Sequence, residues 1–323
     1  MQRSDQPKLV TVFGGSGFVG RHVVRALAKR GYRVRVAVRR PDLAFHLQPL
    51  GNVGQIKAMQ TNLRYQWTVD RAVEGADTVI NLVGILQATG KQSFSAVQER
   101  GAAFVAEAAR KQGASLVHVS AIGADRESES EYGRTKGAAE AAVHGAIKDA
   151  VIMRPSIIFG PEDDFFNRFA SMARMSPFLP LIGGGHTKFQ PVFVGDVAEA
   201  VALAVDGKAR SGKTYELGGP EIVSFRDCLE IMMRITDRNR TLVSIPWSIA
   251  KSMAKLTGWL PGAPITYDQV VMLESDNVVS DRCVSSKLTL KGLGISPRSM
   301  DSVLPSYLVR FRPSGQFTRK GAV

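Results

Sequence analysis

The chain has 323 residues, 44 % of them hydrophobic, and its 42 Lys and Arg outnumber 29 Asp and Glu for a formal charge of +13 at pH 7. That length suits one large domain or two smaller ones, and no apolar stretch reaches the roughly 18 residues that a membrane-spanning helix needs. The excess of cations favours anionic partners, but no nucleic-acid motif accompanies it, so nucleic acid is not expected as a partner.

In chain order, residues 1–8 are polar and too short for a signal peptide. Residues 9–13 (Leu-Val-Thr-Val-Phe) read as a strand. Gly14-Gly15-Ser16-Gly17-Phe18-Val19-Gly20 follows, and residues 18–30 carry Val19, Val23 and Leu27 at helical spacing. In a strand, glycine turn and helix, each glycine has a task. Gly14 makes the tight turn, Gly17 lets the backbone approach a bulky anion, and Gly20 lets the helix lie close on the sheet. The N–H groups at the helix start, around Ser16, Phe18 and Val19, then point at a phosphate with the helix dipole behind them. The expected ligand is a dinucleotide; the alternative is a glycine-rich turn with no ligand.

Residues 32–38 alternate Val34, Val36 and Val38 and read as the second strand, which ends in Arg39-Arg40-Pro41 with no acid. An acid at this point holds the ribose hydroxyls of NAD, whereas a base neutralises the extra phosphate of NADP. Arg39 and Arg40 therefore favour NADP(H) over NAD(H), unless both are simply surface charge. They close a stretch, from Arg21 to Arg40, that holds eight Lys and Arg and no acid. Residues 54–59 are a weaker third strand, after which Asn62 and Leu63 could cover an adenine. Residues 67–73 read as a helix. Residues 78–83 form an apolar strand, buried on both faces in a parallel sheet. At its end Leu82, Val83 and Gly84 bring the backbone close to the cofactor.

Residues 94–111 read as a long helix, 115–120 as a strand ending at Ser120, 132–147 as an Ala-rich helix, and 150–159 as a strand closed by Gly160-Pro161. The repeated strand–helix units imply an α/β fold, a Rossmann-type doubly wound parallel sheet. After residue 160 the pattern changes to a helix over 165–175, a Pro/Gly-rich loop over 177–185, a helix within 192–205 and a last strand over 214–218. Short helices and turns follow. The expected organisation is a nucleotide-binding domain over 1–160, completed by about 187–219. A smaller, mostly helical lobe takes 161–186 and 220–323 and ends in a basic tail from 310 onward.

Tyr132 and Lys136 stand at i and i+4 and share one helix face. The lysine can lower the tyrosine pKa and bond the nicotinamide ribose. Tyr132 can then exchange a proton with a carbonyl or alcohol, and Ser120, at a strand end twelve residues earlier, can hydrogen-bond the same oxygen. The other reading is that Tyr132 and Lys136 only hold the cofactor. The five histidines and the two cysteines, Cys228 and Cys283, show no metal-ligand spacing, so no metal is expected and a reducing compartment is the simplest setting. Asp125, Glu127, Glu129 and Glu131 read as a solvated acidic loop, with a specificity loop over the substrate as the alternative.

Together these residues resemble the short-chain dehydrogenase/reductase superfamily, in its extended or atypical branch, over most of residues 8–220. Residues 154–172 (Arg-Pro-Ser-Ile-Ile-Phe-Gly-Pro-Glu-Asp-Asp-Phe-Phe-Asn-Arg-Phe-Ala-Ser-Met) and 190–197 (Gln-Pro-Val-Phe-Val-Gly-Asp-Val) are similar to the alpha-subcomplex accessory subunit nine family of respiratory complex I. That resemblance implies a tightly held NADPH that is structural rather than turned over. It also implies a place beside the membrane near the quinone site, and relatives linked to ubiquinone biosynthesis. Carried over, Gly14, Gly17 and Gly20 would hold the pyrophosphate, Arg39 the extra phosphate, and Tyr132 and Lys136 the nicotinamide ribose. Pro155 would lie by the nicotinamide. Ser120, Tyr132 and Lys136 are all retained, so an active NADPH-dependent oxidoreductase or epimerase on a hydrophobic carbonyl or quinone-precursor substrate is the alternative. No mitochondrial presequence precedes the first strand, which implies a cytoplasmic bacterial homologue or a processed form on the matrix side. Residues 246–261 mix aromatics, aliphatics and lysines at helical spacing; they suit either an anionic membrane interface or partner, or an ordinary packed helix.

Overall fold

The computed structural model describes residues 7–257 and 265–314, and the chain divides into two compact units. The first comprises the residues up to Pro155, Val194–Leu217 and Val279–Ser296. Its centre is a seven-stranded sheet of β1 (Leu9–Phe13), β2 (Arg33–Val38), β3 (Ile56–Gln60), β4 (Thr78–Asn81), β5 (Ser115–Val119), β6 (Val151–Pro155) and β7 (Thr214–Leu217). All neighbours pair in parallel, in the order β7-β6-β5-β4-β1-β2-β3. The order reverses between β1 and β4, where such sheets open a ligand crevice at their carboxyl ends.

Helices cover both faces, as the apolar strands require. On one face α1 (Phe18–Lys29) packs against α5 (Val194–Val205). On the other, α3 (Arg100–Gln112) lies between α2 (Gln66–Val73) and α4 (Glu131–Ala146). The strand period of two sorts the side chains. Thr11 Oγ1 and Arg35 both donate to Ala72 O of α2, at 2.9 and 2.8 Å, while Val12 and Val36 face Val24 of α1 across Gly15. The core between sheet and α2–α4 includes Phe13, Val69, Val79, Val105 and Ile152.

Several boundaries shift by a residue or two from the sequence reading, and three of the differences have a clear local cause. The helix read over 94–111 begins with a π turn, Ser95–Glu99, before α3. The strand read over 78–83 ends at Asn81, whose side chain takes the N–H of Val83. The strand read over 150–159 stops at Pro155, which has no N–H to continue a ladder.

The second unit comprises Ser156–Phe193, Gly218–Val278 and the residues from Pro297 onward. Helices Phe166–Met175, Phe225–Thr236 and Met300–Leu308 close on a core that includes Phe159, Phe166, Leu179, Phe225 and Leu229. The expected loop over 177–185 holds a strand, Phe178–Ile182, paired in parallel with Thr241–Ile245. Prolines and glycines mask it in sequence, but Leu179 and Leu181 alternate into the core, both fully buried. Two shorter pairs join Ile158–Phe159 to Val192–Phe193 and Lys188–Phe189 to Val223–Ser224, so strands share this unit with its helices. Within 246–261, helix Trp247–Thr257 buries Ala250 and Ala254 against Ile182 and Val270, while Ile249, Met253 and Leu256 are exposed. Residues 1–6, 258–261 and most of the basic tail, 315–323, lie outside the described residues. Among the described residues no helix is long and apolar enough to cross a membrane, and no group of metal-ligating side chains forms.

Candidate functional site

The glycine turn joins β1 to α1. Gly14 adopts φ +79°, its N–H reaches Ala37 O at 3.4 Å, and its carbonyl accepts from Gly17 N at 3.1 Å. A Cβ on Gly20 would fall 2.2 Å from Gly14 O, so only glycine lets α1 approach the turn this closely. Gly15 is as constrained: a Cβ there would lie 2.7 Å from Val36 Cγ1. The three-residue spacing of the motif did not point to it. Gly17 differs from both. A Cβ on it would meet only Gly14 O, at 3.4 Å, so internal packing does not demand glycine and the space before the helix stays open. Gly17 is also the N-cap of α1, with no side-chain cap and no acid in the first turn. The N–H groups of Phe18, Val19 and Gly20 thus present the positive end of the helix to that space, beside half-buried Ser16.

The end of β4 lies against this turn. Leu82 C and Val83 N are each 3.4 Å from where a Gly14 side chain would begin. Asn81 fixes the bend, since its Oδ1 accepts from Val83 N at 3.1 Å and its amide faces His118 Nδ1 at 3.2 Å. Because Oδ1 takes the backbone N–H, Nδ2 must be the donor to His118, whose own proton then sits on Nε2. Burial, with the neighbouring charge of Lys136 adding to it, pushes the His118 pKa down to about 3. Buried Gln98, in the π turn, donates to Ile85 O at 2.9 Å. Sequence reasoning missed Gln98, Asn81's side chain and His118. The available signal was a lone amide or imidazole in an otherwise apolar buried stretch.

Ser120, Tyr132 and Lys136 gather at the neighbouring strand ends. Lys136, 4 % exposed, donates from Nζ to Val119 O at 3.2 Å, and its Nζ is 5.8 Å from the Tyr132 ring centre. A side chain on Gly84 would begin 3.2 Å from the same Nζ. Burial pushes the Lys136 pKa down to about 8, with Glu140 opposing the shift. Half-buried Tyr132 meets Phe94 edge-on at 6.2 Å. The N–H of Ser120 donates to Met153 O at 2.7 Å, while its buried Oγ has no hydrogen-bond partner among the described residues. Pro155 is buried at the end of β6 and accepts from Ile122 N at 3.1 Å.

Ser130 caps α4 by accepting from Gly133 N at 3.1 Å. The acidic loop before it has exposed Asp125, Glu127 and Glu129, but Gly133 and Gly137 let its backbone sit tightly on the helix.

At the outer strand ends, Arg39 and Arg40 are both exposed. Arg40 is paired with Asp42 at 2.8 Å, and this holds the Asp42 carboxyl below the usual carboxylate range. The acid-free reading stopped at Pro41, one residue short of that partner. Arg39 makes no ion pair among the described residues. Asn62 shapes the turn after β3, accepting from Arg64 N and donating its N–H to Thr68 Oγ1, both at 3.1 Å. Leu63 packs its side chain into the core against Gly101.

Residues 10–218 match the NAD dependent epimerase/dehydratase family. The chain belongs to that family. It is 37 % identical over 320 residues to NADH dehydrogenase (ubiquinone) 1 alpha subcomplex subunit 9, mitochondrial, of Arabidopsis thaliana, covering 95 % of this chain and 79 % of that one. The likeness read from residues 154–172 and 190–197 therefore extends over nearly the whole sequence. A ceramide reductase of Caulobacter vibrioides is 36 % identical over 179 residues, 55 % of each protein. Among solved structures, the UDP-glucose 4-epimerase of Thermus thermophilus in complex with NAD has a TM-score of 0.60 and 26 % identity, covering 82 % of this chain and 97 % of that one. The parallel sheet, the glycine turn and the Tyr132–Lys136 helix are thus set in an epimerase/dehydratase-family frame.

Proposed function

We propose that this chain binds NADP(H) along the carboxyl ends of β1, β2, β4 and β5, and serves as an accessory or assembly-type subunit of respiratory complex I with the nucleotide held as a resident group. The observation that carries the reading is the 37 % identity over 95 % of the chain to an alpha-subcomplex subunit 9. A nicotinamide dinucleotide suits the residues present. Gly17 leaves room for an anion before an uncapped helix start, and Ser120 Oγ is buried without a partner among the described residues. Gly14, Ser16, Gly17, Phe18, Val19 and Gly20 would hold the pyrophosphate. Arg39 would take the extra phosphate, with Arg40 contributing only by leaving Asp42. Asn62 and Leu63 would flank the adenine, and Leu82, Val83 and Gly84 would pass beside the nucleotide. Tyr132 and Lys136 would bond the nicotinamide ribose, and Pro155 would border the ring.

When bound, such a nucleotide supplies or accepts a hydride. The chain's own contribution is positional. Lys136 holds a donor in a dry place, Tyr132 can hold or release a proton at a carbonyl or alcohol oxygen, and Ser120 can add a second hydrogen bond there. A second reading, an active reductase on a hydrophobic carbonyl or quinone-precursor substrate, is favoured by that intact trio and by the ceramide reductase relative. Work at the inner face of a membrane suits the first reading. The exposed Ile249, Met253 and Leu256 support a peripheral contact, either with anionic lipid or with complex I or quinone-biosynthesis proteins.

Denaturing the purified protein and identifying the released nucleotide tests the reading. Co-purified NADP(H) that no cell-extract carbonyl oxidises, together with complex I subunits in a pull-down, is the expected result. Release of NAD(H), or of nothing, would refute the resident-NADP reading. Tyr132→Phe that keeps NADPH but loses a carbonyl-reducing activity would establish the second. Arg39→Asp is expected to weaken NADPH binding far more than NADH binding in titration calorimetry.

A further inference from the structure

Lys136 has a neighbouring acid with which it forms no ion pair. Lys136 and Glu140 stand four residues apart on α4, a spacing that sets a cation and an acid side by side on one helix face. Both side chains are buried, where an ion pair is least screened. Yet among the described residues no ion pair joins them. Lys136 Nζ donates to Val119 O at 3.2 Å, and both oxygens of Glu140 are taken by Arg154 of β6, Nε to Oε1 at 2.8 Å and Nη2 to Oε2 at 2.6 Å. Arg154 is itself held from the far side. It lies opposite Glu216 in the ladder between β6 and β7, and its Nη1 is 3.9 Å from Glu216 Oε1. The other Glu216 oxygen accepts from the N–H of Ser280 at 2.7 Å, which ties this carboxylate to the segment Val279–Ser296 of the same unit. The result is a row of alternating charge, Lys136, Glu140, Arg154 and Glu216, in which the first acid is bonded to Arg154 and not to Lys136.

We infer that Arg154 is a positioning residue: by occupying both oxygens of Glu140 it denies Lys136 the ion pair that their spacing on α4 offers. A planar guanidinium meets a carboxylate with two parallel bonds, which a single ammonium does not, so Arg154 wins the competition for Glu140. Glu140 then acts on Lys136 through its field alone, and the ammonium, with one N–H given to Val119 O, keeps its other donors for an oxygen bound beside it. The use of those donors on a ribose hydroxyl rests on the nucleotide reading above; the arrangement of the four charges does not. The other titratable groups around the amine are Tyr132 on its own helix and His118 on β5, which burial keeps neutral. The end of β4 brings Gly84 against Nζ and adds no charge. Without Arg154, Lys136 is the cation within reach of Glu140 along the helix.

The test follows the Lys136 amine directly, by NMR of the nucleotide-free full chain with isotope-labelled lysine side chains, and Lys136→Met identifies its signal. Wild type, Arg154→Met, Arg154→Lys, Glu140→Gln and the double variant Arg154→Met/Glu140→Gln are titrated across neutral and alkaline pH, with circular dichroism to confirm folding. In Arg154→Met the titration midpoint of the amine is expected to rise by about one pH unit, because a carboxylate brought into contact favours the charged form. Arg154→Lys, which offers one point of contact in place of two, should fall between wild type and Arg154→Met. In the Glu140→Gln background, adding Arg154→Met should move the midpoint less than half as far, because Arg154 acts through Glu140. An unchanged or lower midpoint in Arg154→Met would overturn the inference. So would a shift half as large or larger in the Glu140→Gln background, which would make Arg154 an ordinary neighbouring charge. If Arg154→Met does not fold, Arg154→Lys decides, and a midpoint equal to that of wild type overturns the inference. Failure of the nucleotide reading is separate: purified protein that releases no nucleotide refutes that reading and leaves these titrations unaffected.

Discussion

Lys136 gives the site a pH dependence that can be worked out from its surroundings. Its amine is buried under α4, with one hydrogen bond to Val119 O and the field of Glu140 as compensation. Burial lowers its pKa from 10.5 to about 8. Between those two values the unfolded chain binds a proton that the native protein does not. The stability contribution of Lys136 therefore rises with pH in this window, is least below pH 8, and is complete above pH 10.5. A tenfold change in proton affinity corresponds to about 1.4 kcal/mol, so wild type should gain about 1.4 kcal/mol from this group between pH 7 and pH 9, and about 3 kcal/mol over the whole window. Lys136→Met keeps the length and apolar stem and removes the titration. Urea unfolding of nucleotide-free wild type and Lys136→Met at about pH 7, 8 and 9 measures the gap between them. The gap should move toward wild type by that amount as pH rises. Parallel profiles, or a gap that moves the other way, would show that the amine is solvated and that its burial does not tune it.

Glu140→Gln removes the bidentate partner of Arg154, now bonded at 2.8 and 2.6 Å, and should cost about 2–4 kcal/mol in urea unfolding while lowering the Lys136 pKa further. Gly20→Ala, with a Cβ 2.2 Å from Gly14 O, should destabilise by about 1–3 kcal/mol and lose nucleotide binding in titration calorimetry. Gly17→Ala, with open space before it, should keep its unfolding midpoint yet lose the nucleotide in the same titration. Ser120→Ala removes a hydroxyl that has no partner among the described residues and should leave stability equal or higher by about 1 kcal/mol, while any carbonyl-reducing activity falls at least about tenfold.

What was legible in the sequence depends on how far apart the cooperating residues lie. The strand–turn–helix around Gly14, Gly17 and Gly20 is written within about a dozen consecutive residues, because a tight turn, a helix start and a 3.6-residue period are local events. The same holds for the Tyr132–Lys136 pair on one helix face and for the alternation that marks β2. The strand Phe178–Ile182 was hidden because its prolines and glycines obscure a two-residue period that only a partner strand, Thr241–Ile245, makes structural. Arg40 looked available until folding set Asp42 against it.

The amino-acid order thus determined the parallel α/β architecture, the position of the glycine turn and the placing of Tyr132 and Lys136 one helical turn apart, since each follows from periodicity and local backbone freedom. Tertiary structure decided the rest. It set Gly15 against Val36 and joined Asn81 to His118 across 37 residues. It also excluded water from Lys136, and that exclusion, which no local sequence pattern encodes, is what moves the amine's proton toward neutral pH.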